Sequence, residues 1–136
     1  MVEIREISTA EALVVRHRVL WPDKPADFCR VDGDDHATHL GGFVEGKLCT
    51  VLSLFDEGET VQLRKFATLP AMQGKGLGSA LMKAALNDVA TQGKQITLHA
   101  REGAVGFYQS FGFQQQGAPF EKYGKPYIWM AESNDK

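Results

Sequence analysis

Cysteine is scarce. The 136 residues hold two, Cys29 and Cys49, and their spacing fits neither a metal-ligand pair nor a disulfide framework. They read as free thiols in a reducing compartment. No apolar run approaches the roughly 20 residues that span a bilayer. The opening M-V-E-I-R-E-I carries charges where a signal peptide would be apolar. An excess of one charge is missing as well. The net charge is −2, which argues against a partner that is mainly nucleic-acid backbone or anionic membrane surface. No repeat and no domain linker interrupts the chain. What remains is an ordinary globular composition, 43% hydrophobic and 24% charged. The expectation is one cytoplasmic domain over residues 1–136 with a substantial core.

Two common phosphate motifs are also lacking. No G-x-x-x-x-G-K-(S/T) run exists. The dinucleotide fingerprint G-x-G-x-x-G is half met: Gly74 and Gly76 fit, but Ser79 holds the third position. Glu102, at the end of the following strand, suits that idea. A loop that follows an antiparallel meander in mid-chain does not suit it.

What is present is the stretch 66–79, F-A-T-L-P-A-M-Q-G-K-G-L-G-S. It begins as a strand, breaks at Pro70, and enters a helical pattern through Gly74, Gly76 and Gly78. An open backbone at a helix N-terminus presents unpaired N–H groups and a positive dipole end, which together hold anions. A phosphate-bearing ligand is the expectation.

The remaining pattern surrounds that loop. Val2, Ile4 and Ile7 predict a strand. Ser8 and Glu11 form a capping box before a helix over 10–20, which Pro22 ends. Residues 22–35 read as a solvated loop. Its Asp32, Asp34 and Asp35 resemble part of a calcium loop but lack the distal glutamate. Glu45-Gly46 signals a hairpin between apolar runs at 39–44 and 47–55. A third antiparallel strand follows at 60–68. Within it, Val61 and Leu63 alternate but Phe66 falls on the opposite parity. Either the strand contains a β-bulge or it is buried on both faces. Leu77–Thr91 reads as a helix with a wide apolar face, ended by Gly93. A strand at 95–100 completes a right-handed βαβ crossover. A short helix at 103–111, a strand at 113–116, an aromatic, turn-rich loop at 117–126 and a strand at 127–130 complete the pattern. The tail 132–136 is expected to fray.

Q-G-K-G-L-G at 73–78 resembles the (Q/R)-x-x-G-x-(G/A) loop of the GCN5-related N-acetyltransferases (GNAT), which holds the pyrophosphate of acetyl-CoA. F-Y-Q-S-F-G-F at 107–113 resembles that family's F-Y-x-x-x-G-F segment, at matching separation. F-E-K-Y-G-K-P-Y and D-G-D-D-H-A-T-H are similar to a small bacterial branch described as ElaA-like. The resemblance covers nearly the whole chain. It implies an α+β fold of three α/β/α layers, with an antiparallel N-terminal meander and a central βαβ crossover. It also implies acetyl-CoA as co-substrate, a small-molecule or peptide amine as acceptor, and no metal. A homodimer is one candidate assembly.

Roles carried over from the family fall on named positions. Gln73, Gly74, Lys75, Gly76, Leu77, Gly78 and Ser79 would bind pyrophosphate through backbone amides, with Lys75 either adding charge or simply solvated. The backbone of Phe66, Ala67 and Thr68 would pair with the pantetheine arm and point an N–H toward the thioester oxygen. Tyr108 would protonate the departing thiolate, the alternative being an aromatic core residue beside Phe107. Arg101 stands where the family often has asparagine, and could contact CoA phosphates instead. The strand before the loop offers Gln62, Arg64 and Lys65 but no carboxylate base. His39, His99, Glu121 or a water relay are left as candidates. Asp32, Asp34, Asp35 and Glu121 would border an acceptor site suited to a cationic amine, the commoner alternative being solvated acids. That missing base motivates a second hypothesis, a CoA-binding sensor or interaction module without chemistry.

Overall fold

The computed structural model describes residues 2–132. Strand β1 (Val2–Ile7) leads into helix α1 (Thr9–Leu20) through the predicted capping box. Ser8 Oγ accepts from the Glu11 amide at 3.1 Å, and Glu11 Oε1 accepts from the Ser8 amide at 2.9 Å. Each side chain satisfies an amide that the helix start leaves unpaired. Strands β2 (Thr38–Val44) and β3 (Lys47–Asp56) form the expected hairpin. Its turn residues Glu45 and Gly46 both take positive φ, 50° and 80°, as a right-twisting two-residue turn requires. Strand β4 (Thr60–Thr68), helix α2 (Leu77–Thr91) and strand β5 (Gln95–Arg101) follow as the sequence predicts, with β4 and β5 parallel.

The C-terminal part departs from expectation in two places. The short helix is a 3-10 turn, Glu102–Ala104, running into α3 (Val105–Gln109). The presumed loop at 117–126 is mostly a hairpin. After β6 (Phe113–Gln115), strand β7 (Phe120–Lys122) turns through Tyr123 and Gly124 into β8 (Lys125–Glu132). Both turn residues have positive φ, 55° and 74°, so this is a second turn of the Glu45-Gly46 kind. Glu132 does not fray: it lies in β8, and its Oε1 accepts from the Ile96 amide at 2.7 Å. The rest of the predicted tail, 133–136, lies outside the described residues.

The strand order is β1-β2-β3-β4-β5-β8-β6, with β7 also on β8. Adjacent residues of β3 show how the sheet is covered. Val51 packs with Ala12 and Val15 of α1, whereas Leu52 packs with Leu81, Met82 and Ala85 of α2. Neighbours on a strand face opposite ways, so α1 and α2 lie on opposite faces. This is the expected α+β fold of three layers. No helix among the described residues is long and apolar enough to cross a membrane.

The 22–35 segment is less solvated than expected. Asp32 and Asp35 are exposed, but Asp34 is buried on Arg16 of α1, which is itself wholly inaccessible. The pair is bidentate, with both N···O distances 2.8 Å. Arg16 also donates to Ser53 Oγ and the Cys29 carbonyl, and the Val31 amide donates to Asp34. Burial pushes the Asp34 carboxyl up. The hydrogen bonds from Arg16 and Val31, with the charges of Arg16 and His39, outweigh it and hold the group below its ordinary value. Asp34→Ala would strand a buried guanidinium and should cost about 3–5 kcal/mol in urea unfolding at neutral pH. A lowered carboxyl pKa stabilises above its unfolded value and loses that contribution as pH falls through the folded one. The wild type should therefore lose stability in acid more steeply than Asp34→Ala; equal acid profiles would contradict this.

Candidate active site

Strands β4 and β5 share a ladder only from Thr60 with Gln95 to Leu63 with Leu98. Beyond Leu63 they part. The cause lies on the other edge of β4, where Ala67 pairs with Val51 and Arg64 pairs with Ser53. Lys65 and Phe66 thus stand opposite the single residue Leu52. This is the bulge that the parity slip suggested. Lys65 at its centre takes a left-handed φ of 58°, which bends the strand and increases its twist. The other reading holds for the first half of the strand, where Val61, Gln62 and Leu63 are all buried. Each strand keeps its outer neighbour past the fork: β4 stays on β3 and β5 on β8.

Two cavities open at the fork. One, of about 570 Å³, lies beside the glycine loop. Phe66, Ala67 and Thr68 line it from the strand; Gln73, Gly74, Gly76, Leu77, Gly78 and Ser79 line it from the loop. Lys75 is exposed and lines neither cavity. Gly76 caps α2 at φ 82° with no side-chain hydrogen bond to the first helical amides, so those amides remain available to an anion. A Cβ on Gly74 or Gly76 would meet nothing within 4 Å, so their need is conformational; at Gly78 it would sit 3.3 Å from Phe66 Cζ, so there the need is also for space. Gln73 contributes more than its backbone: its Nε2 donates to the Thr68 carbonyl at 3.0 Å and ties the loop to the end of β4.

The second cavity, of about 360 Å³, lies deeper in the fork. It meets the first at Phe66, Ala104 and Tyr108, which line both. Tyr108 is 9% exposed and packs edge-on against Phe107 and Phe113, at 5.3 and 5.9 Å between ring centroids. It is therefore both a core aromatic and a cleft residue. Burial pushes its phenol up to about 12, so it is a protonated donor at neutral pH. Arg101 lines the second cavity, not the first, and its guanidinium lies 5.7 Å from the Tyr127 ring centre.

The candidate bases separate clearly. His39 is buried away from both cavities, hydrogen-bonded to Ser53 Oγ at 2.6 Å and near the Asp34 carbonyl at 2.9 Å. Glu121 is exposed in β7 and lines neither cavity. Only His99 faces the second cavity. Burial, then the charges of Lys122 and Arg64, pushes it down to about 4, and Lys122 Nζ donates to its Nδ1 at 3.1 Å. It is a neutral, weakly basic imidazole. The acids expected to border an acceptor site do not line this cavity. Asp32, Asp34, Asp35 and Glu121 all stand off the cavity, because Asp34 is held by Arg16 and the other three face solvent.

This arrangement agrees with comparison to known proteins. The model of the acetyltransferase (GNAT) domain family matches residues 24–133. The chain belongs to the GNAT acetyltransferase family. Over 132 residues it is 33% identical to the uncharacterized N-acetyltransferase YitI of Bacillus subtilis, covering 89% of this chain and 88% of YitI. It is 28% identical to ElaA of Escherichia coli over 127 residues, 88% of this chain and 83% of ElaA. The crystal structure of Escherichia coli ElaA superposes with a TM-score of 0.82 at 26% identity, over 98% of this chain and all of that one (100%). These relatives support the ElaA-like branch. A GNAT acetyltransferase from Elizabethkingia anophelis, solved with acetyl-CoA bound, shares the fold with a TM-score of 0.74 at 13% identity, over 96% of this chain and 97% of that one.

Several lining residues of this acetyltransferase had no role assigned from its sequence: Trp21 just past α1, Lys122 and Tyr123 on the β7–β8 hairpin, and Arg64 and Lys65, which the sequence placed on the strand before the loop without one. The readable signal was Tyr123-Gly124, a two-residue turn between F-E-K and K-P-Y. Gly76→Val should lose about 1–2 kcal/mol through its left-handed backbone and weaken CoA in calorimetry. Unchanged melting and CoA affinity would deny the loop its conformational role.

Proposed function

We propose that this enzyme transfers acetyl from acetyl-CoA directly to a primary amine, with the donor on the glycine loop and the acceptor in the inner cavity. The observation that carries this reading is the meeting of the two cavities at Phe66, Ala104 and Tyr108. A donor in one and an acceptor in the other would bring their reacting ends together there, and proximity of that kind supplies much of a barrier reduction. The uncapped amides of α2 and the backbone of Gly74 and Gly76 suit pyrophosphate. Past Leu63, β4 has no partner strand on its cavity side. Its backbone near Phe66 and Ala67 is then available to an extended pantetheine arm and to the thioester oxygen. One donor at such an oxygen is worth about 3 kcal/mol in other acyl-transfer enzymes.

In the step itself the amine nitrogen attacks the thioester carbonyl, a tetrahedral intermediate forms, and the C–S bond breaks to give amide and CoA thiol. Tyr108 faces the leaving sulfur. Its pKa of about 12 against a thiol near 8.5 makes full proton transfer uphill by about 5 kcal/mol. Its main effect is therefore a hydrogen bond to the developing thiolate. The proton lost by the attacking nitrogen goes to solvent and completes the thiol.

A charge-assisted hydrogen bond is worth about 1.5–3 kcal/mol. Tyr108→Phe should accordingly lower kcat roughly 10- to 150-fold, with little change in KM for acetyl-CoA. Thiol release from acetyl-CoA over an amine panel is the assay. Wild-type turnover in the variant would remove Tyr108 from the mechanism. Acetyl-CoA binding without turnover on any amine would favour the sensor hypothesis.

A further inference from the structure

The inner cavity has an unusual charge. Arg64, Lys65, Arg101, Lys122 and Lys125 line it, and no aspartate or glutamate among the described residues does. The whole chain has 15 basic and 17 acidic residues, so this is not a generally basic protein. Outside it, Arg5, Arg16, Arg30 and Lys94 have carboxylate partners, whereas among the described residues none of the five cavity cations is in an ion pair. Four of them lie near aromatic rings, Arg64, Lys65, Arg101 and Lys122. Lys122 Nζ is 4.7 Å from the Tyr127 ring centre, and Lys65 Nζ is 5.7 Å from that of Tyr123. An aromatic face attracts a cation without neutralising it.

We propose, resting on the acetyl-transfer reading, that the acceptor is a small anionic amine, its carboxylate or phosphate held among Arg64, Lys65 and Lys122. Three further observations support this. The cations oppose one another: burial, then Arg64 and Lys65, pushes Lys122 down to about 8, and burial, then Arg64, lowers Lys65. Such a cluster is unfavourable until an anion enters it. The backbone is also strained there. Among the described residues only Glu45, Lys65 and Tyr123 are non-glycine with positive φ; Glu45 and Tyr123 are hairpin-turn residues, so Lys65, which lines this cavity, is the one that no tight turn explains. Backbone strain of this kind clusters at functional sites. Finally, the volume of about 360 Å³ is at the small end of ligand pockets. The same charges disfavour the ammonium form of a bound amine. They move it toward the neutral nucleophile, where no carboxylate base is at hand.

The test compares amines of similar size and different charge in the thiol-release assay: glutamate and O-phosphoserine, their carboxylate- and phosphate-free counterparts glutaminamide and serinamide, and the cationic cadaverine. An anionic amine should exceed its counterpart by about tenfold or more in kcat/KM, equivalent to about 1.4 kcal/mol. Which anion wins separates carboxylate from phosphate. Lys122→Gln and Lys65→Gln should each reduce that ratio, and should raise the melting temperature of the ligand-free protein by relieving like-charge repulsion. The melt also confirms that the variants fold.

Preference for cadaverine or for either counterpart would overturn the proposal while leaving acetyl transfer intact. So would variants that weaken CoA binding and leave the amine ratio unchanged, because the cations would then serve the donor. If no amine turns over, calorimetry of glutamate and O-phosphoserine against CoA-loaded protein decides the anion site by itself. Binding that Lys122→Gln abolishes supports it, and absence of binding sinks it, whatever becomes of the catalytic reading.

Discussion

The parting of β4 from β5 is the constraint on which the rest depends. Had the Leu63–Leu98 ladder continued, the strands would satisfy each other and no groove would exist. The bulge at Lys65 and Phe66 prevents this by placing two residues against Leu52. The left-handed backbone at Lys65 is locally unfavourable for a residue with a Cβ. It persists because both halves of the sheet are fixed from outside, β4 by β3 and β5 by β8. A break in mid-sheet is thus held open by continuity at its flanks, and the backbone groups it frees are the ones a thioester ligand can use.

The buried Arg16–Asp34 network holds the cover over that groove. Arg16 fastens α1 to Asp34, Ser53 and the Cys29 carbonyl at once, so it joins the helix to β3 and to the segment between α1 and β2. Trp21, just past α1, packs edge-on against Tyr123 of the β7–β8 hairpin, with ring centroids 6.0 Å apart. The two sides of the groove touch through that aromatic contact. A buried ion pair is poor evidence for stability by itself, because desolvation offsets much of the attraction. Its value here is positional: the groups that Arg16 satisfies come from β3 and from two turns of the segment between α1 and β2, which fixes where α1 sits along the sheet.

What the sequence revealed divides along a physical line. The capping box at Ser8 and Glu11, the turn at Glu45-Gly46, the parity slip at Phe66 and the glycine loop were legible because each is written in residues close in sequence. Gly76 needs its conformation for reasons that a window of six residues contains. The burial of Asp34 was not legible, since its partner stands 18 residues away on a helix, and an aspartate in an Asp-rich loop looks solvated from its neighbours alone. The β7–β8 hairpin was missed because tyrosine at the first turn position is a weak signal beside asparagine or glycine. The inner cavity was the least legible part. Its cations come from β4, β5, β7 and β8, and only the fold brings them together. Acids in nearby loops suggest either a border for a cationic amine or plain solvated acids; the folded chain leaves Asp32, Asp35 and Glu121 exposed, and the cavity's own charges have the other sign.

That sign bears on the absence of a base. A carboxylate at the cavity would accept the proton of an ammonium substrate, but it would also attract that ammonium and stabilise its unreactive form. The cavity here offers the reverse balance. Tyr108 stays protonated up to about 12 and His99 stays neutral down to about 4, so neither carries charge near neutral pH. The formal charge in the fork belongs to the lysines and arginines. An amine entering such a field gives up its proton more readily than in water, and the free base is the form that attacks a thioester. On the proposed reading, the electrostatics that disfavour a cation in this cavity would do part of the work usually assigned to a base, before donor and acceptor meet at Phe66 and Tyr108.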